Sequence, residues 1–162
     1  MGAVVDRAAV LAWRQGERQA GRRVVFTNGV FDLLHRGHVE YLAEARALGA
    51  ALVVGVNDDA SVRRLKGPGR PLITAADRAQ VLAALAVVDR VVLFAEDTPR
   101  ELIAALLPDV LVKGGDYALE GIVGRAEVEA AGGEVRRIAF RPGYSTSDLL
   151  ARLRALDHPA GA

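Results

Sequence analysis

A chain of 162 residues, 51% of them hydrophobic, is sized for one domain that buries about 70% of its unfolded surface. Its 21 basic and 20 acidic side chains leave a net charge of +1, which offers no broad surface for polyanions and argues against nucleic acid as a partner. No cysteine is present, so disulfides and thiol chemistry are excluded and a reducing, cytoplasmic setting fits. The longest uninterrupted apolar run, residues 81–88, is far too short to span a bilayer. The first residues lack a basic stretch followed by an apolar one, so neither a membrane partner nor a signal peptide is expected.

An amphipathic segment comes first, residues 6–20, with Val10, Leu11 and Trp13 on its apolar side. It predicts a helix packed outside the main sheet and ended near Gly21. Residues 23–27 are apolar and β-branched, a buried strand, and 38–48 a helix stopping at Gly49. Residues 51–57 form the second buried strand, after which Asp58-Asp59-Ala60-Ser61 caps a short helix to Leu65. Two glycines and two prolines make 66–71 a loop. Thr74-Ala75-Ala76-Asp77 starts a helix that runs to about Ala86. A third strand covers 91–94, and Thr98-Pro99 opens a helix through Leu107 with Pro99 at its first position. The fourth strand is 110–112, followed by a Gly-Gly loop, a helix over 125–131, a fifth strand over 134–140 and a last helix over 147–156.

Five alternations of continuously apolar strand and helix predict an α/β fold. The expectation is a Rossmann-like doubly wound five-stranded parallel sheet with helices on both faces and an extra N-terminal helix. Residues 1–21 are expected to pack as that helix on a domain of residues 22–156, with 157–162 a tail. In such sheets ligands bind outside the carboxyl ends of the strands, where strand order reverses. The loops at His35–His38, Lys113–Tyr117 and Arg141–Ser147 each follow a strand and so converge on one edge.

The most informative stretch is Thr27-Asn28-Gly29-Val30-Phe31-Asp32-Leu33-Leu34-His35-Arg36-Gly37-His38. It places two imidazoles where a strand gives way to a helix start, a position whose free N–H groups and positive dipole end collect anions. Gly37 removes a Cβ that would hold a ligand off the backbone. A zinc pair would need further ligands, yet there is no cysteine, and the third histidine, His158, lies in the polar tail. The phosphate fingerprints of dehydrogenases and P-loop enzymes and the serine elbow of hydrolases are absent. Only two of the 21 basic residues are lysines, Lys66 and Lys113, and both precede glycine in loops, where a compact mobile cation suits phosphate. Ser145-Thr146-Ser147 opens the last helix and forms a second anion site. These groups suit nucleotidyl transfer, in which cations and donors steady the reacting phosphates.

The string Gly-x-Phe-Asp-x-x-His-x-Gly-His between strand and helix resembles the signature of the nucleotidyltransferase superfamily that includes cytidylyltransferases and phosphopantetheine adenylyltransferase. Val56-Asn57-Asp58-Asp59, Leu65-Lys66-Gly67, Arg70-Pro71, Asp77-Arg78, Glu96-Asp97-Thr98-Pro99, Lys113-Gly114-Gly115-Asp116-Tyr117 and Tyr144-Ser145-Thr146-Ser147 extend the likeness over residues 22–156. The whole series is similar to the D-glycero-β-D-manno-heptose 1-phosphate adenylyltransferase family. That resemblance implies ATP and a heptose 1-phosphate as partners, Mg²⁺ arriving with ATP, and ADP-heptose and pyrophosphate as products. It implies catalytic roles for His35, His38 and Lys66. It also implies nucleotide contacts from Val30, Phe31, Gly37, Lys113, Gly114, Asp116, Arg141, Ser145, Thr146 and Ser147. Acceptor contacts follow from Thr27, Asn28, Gly29, Arg70 and Arg78, and no metal is assigned to protein ligands. Unlike bifunctional members, no sugar-kinase segment precedes the motif, so a separate kinase is expected to supply the heptose 1-phosphate. Cytidylyl or adenylyl transfer to glycerol phosphate or phosphopantetheine, and a non-catalytic nucleotide-binding module, are the alternatives; a homo-oligomer is compatible with all of them.

Overall fold

The structure, a computed structural model, describes residues 1–115, 121–139, 143, 144 and 146–157, the last segment without the side chains of residues 147, 148, 154, 155 and 157. Asp116, Arg141, Ser145 and the Ser147 side chain, all expected in the site, therefore lie outside the described parts.

Six strands, β1 (Ala3–Val5), β2 (Val24–Gly29), β3 (Ala51–Asn57), β4 (Arg90–Phe94), β5 (Val110–Gly114) and β6 (Glu134–Ile138), form one sheet in the order β1-β4-β3-β2-β5-β6. Every neighbouring pair is parallel. The expected count was five; the sixth strand is β1, three residues long, too short for periodicity to register. It is fixed by backbone, since Gly2 N–H donates to the Ala83 carbonyl at 2.9 Å. A Cβ on Gly2 would stand 2.4 Å from the Val88 carbonyl oxygen, so this approach needs glycine.

The helices are α1 (Arg7–Gln19), α2 (Arg36–Arg46), α3 (Asp59–Lys66), α4 (Ala75–Ala83), α5 (Arg100–Leu106), α6 (Arg125–Ala130) and α7 (Thr146–Asp157). Asp6, Asp58 and Thr74 cap α1, α3 and α4 by accepting from the N–H three residues on. Successive strand residues point to opposite faces, and each face has its own core. Val25, Leu52, Val54, Val91 and Val112 pack with Tyr41, Leu42 and Ala45 of α2 and with Ala79 and Leu82 of α4. Val24, Phe26, Val53, Val92 and Leu111 pack with Val10 of α1, Leu102, Ile103 and Leu106 of α5, and Val128 of α6. β3 is buried at all seven positions, which is why its sequence is apolar throughout rather than alternating. Each such Val or Leu contributes about 1.5–3 kcal/mol by leaving water.

The chain winds outward from β2 through β3 to β4, then returns to β5 on the other side. Strand order reverses between β2 and β5. Their ladder joins only Val25 to Val110 and Phe26 to Leu111, although β2 continues to Gly29 and β5 to Gly114. The carboxyl ends of these two strands thus open a crevice. Among the described residues no helix is long and apolar enough to cross a membrane.

Candidate active site

β2 delivers Asn28 and Gly29 to the crevice, and Val30 and Phe31 turn the chain out of the sheet. Phe31 adopts a left-handed backbone, φ 50°, an uncommon state for a bulky residue. Its buried ring then faces the His38 ring, centroids 5.3 Å apart. α2 begins two residues earlier than expected because His35 itself is the cap: its extended backbone lets Nδ1 accept from His38 N–H at 3.3 Å. An accepting Nδ1 leaves the proton of the neutral ring on Nε2, where it can donate to an anion.

The two imidazoles stack, centroids 3.9 Å apart and planes 16° from parallel. Burial pushes His38 down to about 4, and the neighbouring His35 pushes the same way; the Leu33 carbonyl opposes both without making a full hydrogen bond to the buried Nδ1. Burial also lowers His35. Both rings are therefore neutral donors near pH 7. Gly37 proves to serve packing: a Cβ there would lie 2.9 Å from Tyr144 Cβ and 3.1 Å from His35 Nδ1. The last helix docks on the same loop, Thr146 Oγ1 donating to the Leu33 carbonyl at 3.4 Å.

Lys66 is the last residue of α3 rather than a loop residue, and it is exposed. The segment after it is clamped by Asp32, which is 2% exposed. Asp32 accepts from the N–H groups of Leu72 at 2.9 Å and Ile73 at 3.0 Å and from Arg70 Nε at 2.5 Å. Burial alone would raise the Asp32 carboxyl, but these donors more than offset it and hold it below the ordinary carboxylate range. At the end of β5, burial lowers Lys113, which forms no ion pair with any described residue.

These groups surround one cleft of about 330 Å³. Its walls include Asn28, Gly29, Val30 and Phe31 from the β2 end, His38 from α2, Lys66 and Arg70, Lys113 and Gly114 from β5, and Thr146 from α7. His35 stands behind His38, beside Gly143 and Tyr144. A second cavity of about 390 Å³ shares Asn28, Gly29, Val30 and Lys113 and continues past Asn57, Asp97 and Thr98.

Two expected acceptor residues are placed elsewhere. Thr27 is fully buried, its hydroxyl 2.5 Å from Tyr41 Oη. Arg78 is 2% exposed. It donates to the carbonyls of Ile73 (2.9 Å), Val30 (2.5 Å) and Asn57 (2.9 Å) and to Asp59 Oδ1 (2.8 Å). Its guanidinium braces the loop instead of reaching the cleft, because strand and loop carbonyls surround it on every side. Tyr41 lines the cleft and escaped the sequence reading; its position one turn after His38 on the same helical face was the available signal. Burial raises its phenol to about 12, with Thr27 acting the other way. Asp97 and Thr98 were also missed as wall residues, although they follow β4 just as the other site loops follow strands.

Comparison with known proteins supplies the family. Residues 26–152 match the model for the cytidylyltransferase-like family. The chain is 58% identical over 148 residues to the bifunctional protein HldE of Pelobacter propionicus, covering 91% of this chain and 30% of that one. To HldE of Aeromonas hydrophila it is 61% identical over 151 residues, covering 93% and 32%. The chain thus spans about a third of the length of these curated relatives. The crystal structure of a lipopolysaccharide core biosynthesis protein from Thermoplasma volcanium superposes with a TM-score of 0.61 at 31% identity, over 75% of this chain and 98% of that one. A pantoate-β-alanine ligase from Francisella tularensis shares the fold alone, with a TM-score of 0.62 at 12% identity, over 97% of this chain and 78% of that one. With the histidine motif at a helix start, the crevice between β2 and β5 and a match over most of its length, the chain belongs to the cytidylyltransferase-like family.

Proposed function

We propose that the protein is a cytoplasmic nucleotidyltransferase that moves AMP from ATP onto a heptose 1-phosphate, giving ADP-heptose and pyrophosphate. The observation that carries this reading is the gathering of His38, Lys66, Lys113 and Thr146, from four separate elements, on one cleft at the reversal of strand order. Identity to HldE proteins and likeness to a lipopolysaccharide core biosynthesis protein support a sugar as acceptor. The unit proposed to act is residues 22–156, with 1–21 packed on it and 157–162 as a tail.

In this reaction an oxygen of the sugar phosphate, already ionised near pH 7, bonds to the α-phosphorus. The bond from that phosphorus to the α,β-bridging oxygen breaks, and its electron pair leaves with pyrophosphate. No proton need be taken from the nucleophile, so the protein positions and neutralises rather than acting as a base. His35 and His38 serve as neutral N–H donors at the start of α2, and the start of α7, with Ser145, Thr146 and Ser147, provides the second phosphate site. Lys66 and Lys113 bring the mobile positive charge, with Val30, Phe31, Gly114, Asp116 and Arg141 bordering the nucleotide and Asn28, Gly29 and Arg70 the acceptor. Mg²⁺ enters with ATP as part of the substrate and offsets charge on the triphosphate. Among the described residues no three His, Asp or Glu side chains cluster to hold a metal, and Asp32 is committed to Arg70, Leu72 and Ile73.

Incubation of the pure protein with each nucleoside triphosphate and a panel of sugar phosphates, followed by mass analysis, tests the proposal. ADP-heptose from ATP and heptose 1-phosphate is expected. Product only from CTP with glycerol phosphate, or no acceptor-dependent pyrophosphate at all, overturns it.

A further inference from the structure

Arg14 and Arg18 of α1 and Arg22 and Arg23 before β2 line a cavity of about 310 Å³, in which Asp109 is the only carboxylate among the described residues. It lies at the amino ends of β2 and β5, the opposite end of the strands from the cleft. Asp109 is committed to the fold: its Oδ2 accepts from Val24 N–H at 2.7 Å and its Oδ1 from Arg14 Nη2 at 2.9 Å. Arg22 forks onto Glu17, both nitrogen–oxygen distances 2.7 Å, and Arg23 is paired with Glu134. Arg18 forms no ion pair with any described residue and donates only to the Leu107 carbonyl, at 3.2 Å.

Arg14 is 3% exposed, yet only Nη2 of its three nitrogens has a partner; Nε and Nη1 are buried with none among the described residues. The other buried guanidinium, that of Arg78, engages all three. Buried donors on a charged group are rarely left without an acceptor, because water has been removed and nothing replaces it. Arg18 adds to the imbalance. It stands one helical turn after Arg14, and the two place Nη2 on the same Leu107 carbonyl oxygen, 3.0 and 3.2 Å away. Like charges at this spacing repel. An oxyanion seated against the pair converts that repulsion into charge-assisted hydrogen bonds.

We infer that this cavity is a second anion site, separate from the cleft, that takes a small phosphorylated molecule, with Arg14 and Arg18 holding the phosphate and Arg22 and Arg23 drawing it in. Four arginines against one aspartate focus positive field at this spot on a chain whose net charge is only +1. Planar guanidinium forks match the oxygen pairs of a phosphate, and a phosphate has oxygens enough for two forks. The volume is at the small end of ligand pockets, about 300–1,000 Å³, which suits a phosphate with a small group attached rather than a polymer. The site stands whether or not the transfer reaction does.

Isotope-labelled protein titrated at constant ionic strength with inorganic phosphate, inorganic pyrophosphate and glucose 1-phosphate in turn tests the inference. The amide signals of Gly21 and Gly132 report on this cavity, and those of Gly29 and Gly114 on the cleft. Saturable shifts of Gly21 and Gly132 are expected. Arg18→Ala, at an exposed position without an ion-pair partner, is expected to raise the half-saturating concentration there about tenfold, the size of one lost charge-assisted hydrogen bond. Gly29 and Gly114 should respond as in wild type. Tighter binding of pyrophosphate assigns the site to inorganic anions, tighter binding of the ester assigns it to phosphate esters, and equal binding assigns it to the phosphate group alone. No saturable shift of Gly21 and Gly132 with any of the three, or a half-saturating concentration that Arg18→Ala leaves within about twofold of wild type, overturns the inference.

Discussion

His38 combines three roles that usually compete. It lies in the first turn of α2, its ring stacks on His35 and meets the Phe31 ring at a tilt, and it faces the cleft. Such packing fixes the ring and strips its water, and the loss of water drives its titration down to about 4. In the proposed reaction, His38→Ala removes a donor to the phosphates. It is expected to lower kcat by about 10²–10³-fold with an unchanged circular dichroism spectrum, and wild-type turnover would refute the role. The consequence for stability has a definite sign. Unfolded, the imidazole takes up a proton near pH 6.5, but folded it does so only near 4. Between those values the unfolded chain binds the extra proton, so this contribution to stability is present above about 6.5 and is lost as pH falls towards 4. His35 shifts in the same direction. His38→Gln should therefore lose less Tm than wild type between pH 7 and pH 4.5, as paired thermal melts would show.

At the scale of elements, α4 shows where the sequence reading was silent. Arg78 looked like a ligand because cations near a phosphate motif invite that reading, and its position gave no warning of burial. In the structure α4 packs Ala79 and Leu82 into the core, and the neighbouring Arg78 is carried in beside them. Four oxygens from three segments then converge on it. It ties the β2 exit, the β3 exit and the start of α4 together, and so braces the Val30 turn from behind. Arg78→Met would keep volume but take the charged donor from three carbonyls and leave Asp59 Oδ1 only the Ala75 N–H. Removal of one partner from a buried charged network costs about 3–5 kcal/mol, so urea denaturation should show a loss of that order, whereas a surface ligand would cost almost nothing. By contrast, local signals did place the helix starts. Asp58 and Thr74 cap where a Ser/Thr/Asp before an apolar-periodic run says they should. The alternation of runs also gave the parallel sheet, because strands buried on both faces must be apolar throughout. What one sequence could not display was the long-range closure: Asp32 clamping residues 70–73, and Tyr41 pairing with Thr27 beneath the cleft. Those contacts join residues 14 to 41 positions apart, so no local spacing announces them.

Over the whole molecule, the sheet separates stability from chemistry. The cleft proposed to bind nucleotide lies between β2 and β5 near the middle, whereas β1 closes the outer edge beside β4. β1 pairs Ala3 with Arg90, Val4 with Val91 and Val5 with Val92. Without it, β4 would present unpaired N–H and C=O groups to solvent, a template for association with another chain. The loop after β4 would also lose support, since Arg7, just beyond β1, is ion-paired with Glu96. Removal of residues 1–5 is thus expected to cost about 2 kcal/mol in lost ladder hydrogen bonds, which for a domain of this size lowers Tm by roughly 4–8 °C. Light scattering on heating should rise with protein concentration. The KM for ATP should stay within about twofold, because two strands, β3 and β4, stand between β1 and the β2 exit. A shortened chain with unaltered Tm would show that β1 adds nothing to the fold. A tenfold rise in KM for ATP would show that the edge and the cleft are coupled, contrary to a site set by the two central strands.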